Sequence, residues 1–163
     1  MKTEIERKFY VKTMPDLSGI KPQKYERYFL ERGKGTEIRI SKVDDSYKYE
    51  LKREISALER TREKREITKE EFDRLKQGSH EAIIRDRYNI PSDHDSTHEI
   101  AVQIYHGRFE GLIRAEVEFE TQEDAEAFVP LPWMGEEMTG LPIARDSKLL
   151  DLTEEEFGKY IKK

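Results

Sequence analysis

The first strand-forming segment of this chain carries two acids and a base on one face. Side chains alternate between the two faces of a β-strand, so Glu4, Glu6 and Lys8 lie together within the segment 4–9. Ile5 belongs to the opposite, apolar face. A row that mixes carboxylates with an ammonium group suits a site that binds a metal ion and an anionic substrate together.

A second pair of carboxylates, Glu116 and Glu118, repeats the Glu-x-Glu spacing late in the sequence. Other strand candidates add cations on their polar faces, and the set is Lys8, Arg39, Lys52, Arg62, Arg85 and Arg87. Carboxylate oxygens suit hard cations such as Mg²⁺ or Mn²⁺, and neighbouring Lys and Arg side chains suit phosphoryl transfer. Each row could instead be a solvated face of an open sheet. The repetition of one design in several strands favours a shared charged interior.

Strands and short helices must position these rows. The predicted strands are 3–12, 24–32, 36–42, 47–54, 60–67, 82–90, 99–106 and 112–120. Helices are predicted after Thr68, Thr121 and Thr153. Thr68 with Glu71 forms a capping box, and Thr121 and Thr153 are caps followed three residues later by Asp124 and Glu156. In several strands, one face is apolar and the opposite face carries both acidic and basic side chains. This pattern predicts an α+β fold in which the sheet closes into a barrel with a charged lumen and the helices cover its apolar outside.

The amino-acid composition is consistent with charged side chains that line an interior. Charged residues make up 40% of the 163 residues and hydrophobic residues only 35%, which predicts one domain, 1–163, with a thin core. The absence of cysteine excludes disulfides and thiolate metal sites. The formal net charge of −5 gives no nucleic-acid signature, so no nucleic-acid partner is expected. No apolar run approaches the length of a membrane span, so we expect no membrane partner and a cytoplasmic location.

The charged rows belong to segments that match the motifs of one family in chain order. These segments are 3–9, 37–40, 49–52, 62–66, 85–88, 105–119 and 131–139. The Glu-x-Glu-x-Lys signature at 4–8, Ala-Glu-x-Glu at 115–118 and Trp-x-Gly-x-Glu at 133–137 together resemble the CYTH superfamily, the triphosphate tunnel metalloenzymes. The resemblance covers most of the chain.

The resemblance implies an eight-stranded antiparallel tunnel, a divalent metal ion and a small-molecule substrate with a triphosphate tail. By position, it implies that Glu4, Glu6, Glu116 and Glu118 bind metal, Mg²⁺ or Mn²⁺. It implies that phosphate is bound by Lys8, Arg39, Lys52, Arg62, Arg85 and Arg87. Lys8 would also orient or polarise the attacked group, which makes Lys8, Glu4 and Glu6 the expected catalytic residues. Arg145 and Lys148 are additional phosphate candidates, and a homodimer is compatible with the family.

Three positions depart from the family pattern. Glu37 stands where the family has an arginine, Lys64 where it has a glutamate and Gln103 where it has an aspartate. Two explanations remain open for the opposite charge changes at Glu37 and Lys64. The two residues form a compensating pair, or one strand has been aligned one residue out of register, which would turn every side chain to the other face.

The expected function is metal-dependent hydrolysis of a triphosphate compound, with inorganic tripolyphosphate as the first choice. Thiamine triphosphatase and class IV adenylyl cyclase activities are the alternatives within the family. A third alternative is a triphosphate- or nucleotide-binding protein without catalysis, which the departures at Glu37, Lys64 and Gln103 motivate.

Overall fold

The computed structural model describes residues 2–79, 81–91 and 98–161. Eight antiparallel strands pair in the closed order β1–β5–β4–β3–β2–β6–β7–β8–β1, and a ninth, short strand adds to β1. The strands are β1 (Lys2–Val11), β2 (Gln23–Gly33), β3 (Thr36–Val43), β4 (Ser46–Glu54), β5 (Glu59–Glu66), β6 (Ile83–Ile90), β7 (Glu99–His106), β8 (Ile113–Phe119) and β9 (Met134–Glu137). The predicted eight-stranded barrel is therefore confirmed.

Strand β1 closes the barrel because one of its edges pairs with β5 and the other pairs with β8. Residues Lys2 to Ile5 pair with β5, and Phe9 to Val11 pair with β9, while the other edge pairs with β8 along most of its length. In this register Glu6 lies opposite Glu118. The two Glu-x-Glu segments thus become neighbours in space although more than a hundred residues separate them in the chain.

Local sequence signals account for the turns and helix starts. In the β2–β3 hairpin, Lys34 and Gly35 both have positive φ angles of 47° and 79°, as a two-residue hairpin turn requires. The helices are α1 (Lys69–Leu75), α2 (Gln122–Ala127), α3 (Asp146–Leu149) and α4 (Glu154–Ile161). The predicted capping box is present at the start of α1, where Thr68 and Glu71 cap each other's backbone. The sequence patterns predicted neither β9 nor α3.

Apolar side chains pack outside the barrel wall, under the helices. Phe72 of α1 is buried with Ile40 and Ile67, and α2 covers a larger cluster that includes Phe9 and Val117. Helix burial on this outer surface leaves the opposite strand faces to line the interior. Among the residues that the structure describes, no helix is long and apolar enough to cross a membrane.

A third apolar cluster plugs one end of the barrel. The segment after β9 contributes Met138, Ile143 and Leu149, all fully buried, and they pack against strand residues such as Ile83 and against Phe157 of α4. At the opposite end, the side chains of Arg62 and Arg87 are 23% and 25% exposed. The tunnel therefore has an open end that carries charged side chains and an end closed by the C-terminal segment.

Candidate active site

The barrel encloses a charged cavity of about 290 Å³. Twelve Lys or Arg and seven Asp or Glu side chains line it, a formal excess of five positive charges inside a chain whose net charge is −5. The four predicted metal ligands and the six principal predicted phosphate ligands all line this cavity: Glu4, Glu6, Lys8, Arg39, Lys52, Arg62, Arg85, Arg87, Glu116 and Glu118. The open-sheet alternative is therefore excluded, because these rows face one enclosed space.

Glu4 is buried between two of the predicted phosphate ligands. Its carboxylate lies 2.7 Å from Lys52 Nζ and 3.1 Å from the guanidinium of Arg62. Burial and the nearby cations Arg39 and Arg60 hold the pKa of Lys52 well below its usual value, although Glu4 opposes this effect. The ammonium form of Lys52 is thus disfavoured by burial and by nearby positive charge, and an additional anion would stabilise it.

Lys8 and Glu6 form the next layer of the site. Lys8 Nζ donates to the carbonyl oxygen of Ala144 at 2.7 Å and lies 3.6 Å from the Glu6 carboxylate. Burial, together with the nearby charge of Arg114, lowers the pKa of Lys8 to about 8 against the opposing charge of Glu6. Burial would raise the pKa of Glu6, but Lys8 and other cations outweigh it and bring that pKa to about 2. Glu6 is therefore ionised and Lys8 is held at a fixed position.

The second Glu-x-Glu pair divides into two different environments. Glu116 is buried and accepts hydrogen bonds from Arg87 at 3.1 Å and from Arg114 at 2.9 Å. Glu118 has acids around it instead. Burial, the charge of Glu6 and a hydrogen bond with Glu99 raise the pKa of Glu118 to about 7. The carboxylates at the open end of the tunnel thus lack the counterions that the inner ones have.

The chemistry of this carboxylate group fits a hard divalent cation. Glu6 and Glu99 disfavour ionisation of Glu118, and a bound cation would relieve that repulsion. In the described ranges, no three acidic or histidine side chains already converge on one point as a preformed coordination sphere. Glu4 and Glu116 are engaged by Lys and Arg, so binding through all four predicted ligands requires those ion pairs to rearrange.

Arg39 and Arg85, two predicted phosphate ligands, are held by the chain's own anions. Arg39 lies 3.3 Å from Glu50, and Arg85 lies 3.1 Å from Asp146 and donates to Gln103. Arg62 and Arg87 also pair with carboxylates, those of Glu4 and Glu116, but they are partly exposed at the open end.

Seven further charged residues of the lumen were not predicted as ligands: Arg27, Lys48, Glu50, Arg60, Glu99, Arg114 and Asp146. Four of them, Lys48, Glu50, Arg60 and Arg114, alternate with predicted lumen residues of the same strand, so period-two counting could have found them. Asp146 had no such signal, because it comes from the segment that plugs the barrel. The candidates Arg145 and Lys148 both line a second cavity, of about 100 Å³, and only Arg145 also lines the main one.

Glu37 does not pair with Lys64, so the predicted compensating exchange is wrong. The Glu37 carboxylate lies 3.6 Å from Arg39 and 3.7 Å from Arg60, and Ser147 donates a hydrogen bond to it. Within the described part of the chain, no ion pair joins Glu37 to Lys64. Each of the two charges is balanced by its own neighbours.

Lys64 and Arg39 also exclude the other explanation, a one-residue shift of a strand. Both side chains line the cavity, on the face that the sequence pattern predicted. Lys64 lies opposite Glu50 in the β4–β5 pair, and burial together with Lys48 lowers its pKa. The third departure, Gln103, is fully buried and accepts a hydrogen bond from Arg85.

Comparison with known proteins connects this geometry to a family. The chain is 30% identical over 138 residues to an inorganic triphosphatase of Nitrosomonas europaea, covering 84% of this chain and 89% of that protein. The chain belongs to the CYTH superfamily of triphosphate tunnel metalloenzymes. No family model matches it.

Solved structures agree with this placement. A crystal structure of an inorganic triphosphatase superposes on the triphosphate tunnel described here with a TM-score of 0.65 and 26% identity, covering 89% of this chain and 95% of that one. A putative adenylate cyclase of Bacillus halodurans, at 16% identity and a TM-score of 0.55, covers 77% and 86% of the two chains and shares the fold. Triphosphatases of this tunnel family are generally metal-dependent.

Proposed function

We propose that this triphosphate tunnel protein hydrolyses triphosphate compounds with a divalent metal ion, and that inorganic tripolyphosphate is its substrate. The observation that carries this proposal is the formal excess of five positive charges in the lumen of a chain with a net charge of −5. A linear polyanion is the small-molecule class that such a narrow, cationic tunnel binds best. The related triphosphatase of Nitrosomonas europaea supports the choice of tripolyphosphate.

The proposed roles follow the placement of the side chains. Lys52, Arg62 and Arg87 bind phosphate oxygens, together with Lys8, Arg39 and Arg85 deeper in the tunnel. Glu4, Glu6, Glu116 and Glu118 hold the metal ion, Mg²⁺ or Mn²⁺. When bound, such an ion supplies Lewis acidity and a positioned water for attack on a terminal phosphorus.

Lys8 is the proposed catalytic cation. The carbonyl oxygen of Ala144 and the Glu6 carboxylate fix its ammonium group, so it needs no reorganisation when negative charge develops on a phosphoryl oxygen. Burial strengthens the interaction because the ammonium group has little competing water. A cytoplasmic location, one domain over 1–163 and a homodimer stay predictions.

Phosphate release from tripolyphosphate, measured colorimetrically with Mg²⁺ and with Mn²⁺, tests the proposal. We expect release with at least one metal, complete loss in EDTA and recovery when the metal is restored. ATP and thiamine triphosphate, tested at the same concentration, distinguish the alternative activities, and cyclic AMP formation identifies a cyclase. No release with either metal from neutral to alkaline pH, accompanied by tight tripolyphosphate binding, would instead support the non-catalytic alternative.

A further inference from the structure

Asp146 is an anion that the chain itself places at the inner end of the tunnel. Its carboxylate accepts hydrogen bonds from Arg27 at 2.8 Å, from Arg85 at 3.1 Å and from the hydroxyl of Tyr105. Arg114 lies 3.5 Å away. Three guanidinium groups and a phenol therefore surround one carboxylate, the kind of environment that also recognises phosphate.

The position of Asp146 is fixed by the plug. Asp146 begins α3, and its side chain is only 1% exposed. Ile143 and Leu149 on either side of it are fully buried in the apolar cluster at that end of the barrel. The carboxylate therefore cannot leave its arginines without removing the plug from the barrel.

The neighbouring inner arginine is neutralised in a similar way. Arg39 lies 3.3 Å from Glu50 and 3.6 Å from Glu37. The open end differs, since Arg62 and Arg87 are partly exposed there. Arg62 and Arg87 also pair with carboxylates, those of Glu4 and Glu116, but the inner arginines are almost fully buried. A phosphate chain that enters from the open end thus meets partly exposed cations first and buried, internally paired arginines at the inner end.

We propose that Asp146 is a specificity-determining residue that occupies the inner end of the tunnel and limits the length of the linear polyphosphate that can bind. This inference rests on the proposed function, because it takes the lumen to be the phosphate site. A fourth phosphate would have to displace Asp146 from Arg27 and Arg114, the inner arginines that are not proposed to bind tripolyphosphate. The protein then gains nothing from the additional charge of a longer chain.

Calorimetry with the purified full chain in EDTA, where hydrolysis does not consume the ligand, tests the inference. For the unmodified protein we expect the dissociation constants of tripolyphosphate and tetrapolyphosphate to agree within about threefold. Asp146→Asn keeps the shape and one acceptor oxygen but removes the charge. Because the freed guanidinium groups can form charge-assisted hydrogen bonds, the variant should bind tetrapolyphosphate about tenfold or more tighter than tripolyphosphate. Asp151→Asn is the control, since Asp151 pairs with Arg32 outside the main cavity and is 60% exposed.

Three results would overturn the inference. The first is an unmodified protein that binds tetrapolyphosphate more than about tenfold tighter than tripolyphosphate, and the second is an unmodified protein that binds neither ligand. The third is a folded Asp146→Asn variant whose ratio of dissociation constants equals that of the unmodified protein. If Asp146→Asn does not fold, Asp146→Glu extends the carboxylate into the lumen and should weaken the binding of both ligands. A protein that binds with the expected length preference but releases no phosphate would remove the proposed hydrolysis and leave this inference intact.

Discussion

The two ends of the tunnel use carboxylates in opposite ways. At the plugged end, Asp146 is surrounded by Arg27, Arg85 and Arg114, which overcome the effect of burial and hold its pKa well below its usual value. At the open end, burial together with Glu6 and Glu99 raises the pKa of Glu118 to about 7. The Asp146 carboxylate thus has three cationic neighbours, whereas the Glu118 carboxylate has acidic neighbours.

This difference distinguishes two kinds of buried charge. Charges of one kind stabilise the fold, and charges of the other kind are stabilised only when a ligand binds. A buried carboxylate with all of its partners is costly to remove, because its arginines would be left unpaired. A carboxylate among other carboxylates destabilises the protein unless a cation binds, and such frustrated groups concentrate at functional sites. We therefore expect substitutions at the plugged end to reduce stability and substitutions at the open end to reduce activity.

Leu149→Ala is expected to have the largest effect and to act on stability. Leu149 is fully buried in the plug, so truncation should lower the free energy of unfolding by about 2–5 kcal/mol. Urea unfolding followed by circular dichroism measures it. Leu150→Ala makes the same change at the next, only partly buried residue and should cost clearly less. Equal losses in the two variants would show that the plug is not tightly packed.

Glu118→Gln is expected to reduce activity without reducing stability. If Glu118 binds the metal ion, its loss should lower the rate of phosphate release by about 10²-fold and raise the metal concentration needed for half-maximal rate. The free energy of unfolding in EDTA should stay equal or increase, because glutamine removes the repulsion from Glu6 and Glu99. Glu110→Gln, at an exposed position before β8, is the control. A variant that loses stability while keeping its rate would contradict the proposed contrast between the two ends.

The fold could be predicted from the sequence because several of its strands alternate apolar and charged residues. Rows such as Glu4, Glu6 and Lys8 carry charges every second residue, and only a closed interior can collect several such rows. Strand β9 could not be predicted, because four residues are too few to show alternation, and its pairing partner is the second half of β1.

The site could be predicted only in part, for a reason that Asp146 illustrates. The alternation of a strand fixes the face on which each of its side chains lies, so the ten predicted ligands all line the cavity. Asp146 and Ser147 reach the interior because the apolar side chains around them plug the barrel, which is a tertiary effect with no period in the sequence. The same long-range packing explains why Glu37 found Ser147 and Arg60 as partners and not Lys64.

Arg62→Gln should produce the smallest of these effects. It tests how little the side chains at the open end contribute to the free energy of unfolding. Arg62 is 23% exposed and its ion pair with Glu4, at 3.1 Å, is partly screened by water, so its loss should change the free energy of unfolding by less than about 1 kcal/mol. The Michaelis constant for tripolyphosphate should nevertheless rise about fivefold to tenfold, because one phosphate contact is lost. The rise should shrink as salt is increased, since screening weakens the same contact in the unmodified protein. Arg65→Gln, on the same strand but 59% exposed and not among the residues that line the cavity, is the control. If both variants raise the Michaelis constant equally, the effect belongs to the overall charge of the protein and not to the tunnel.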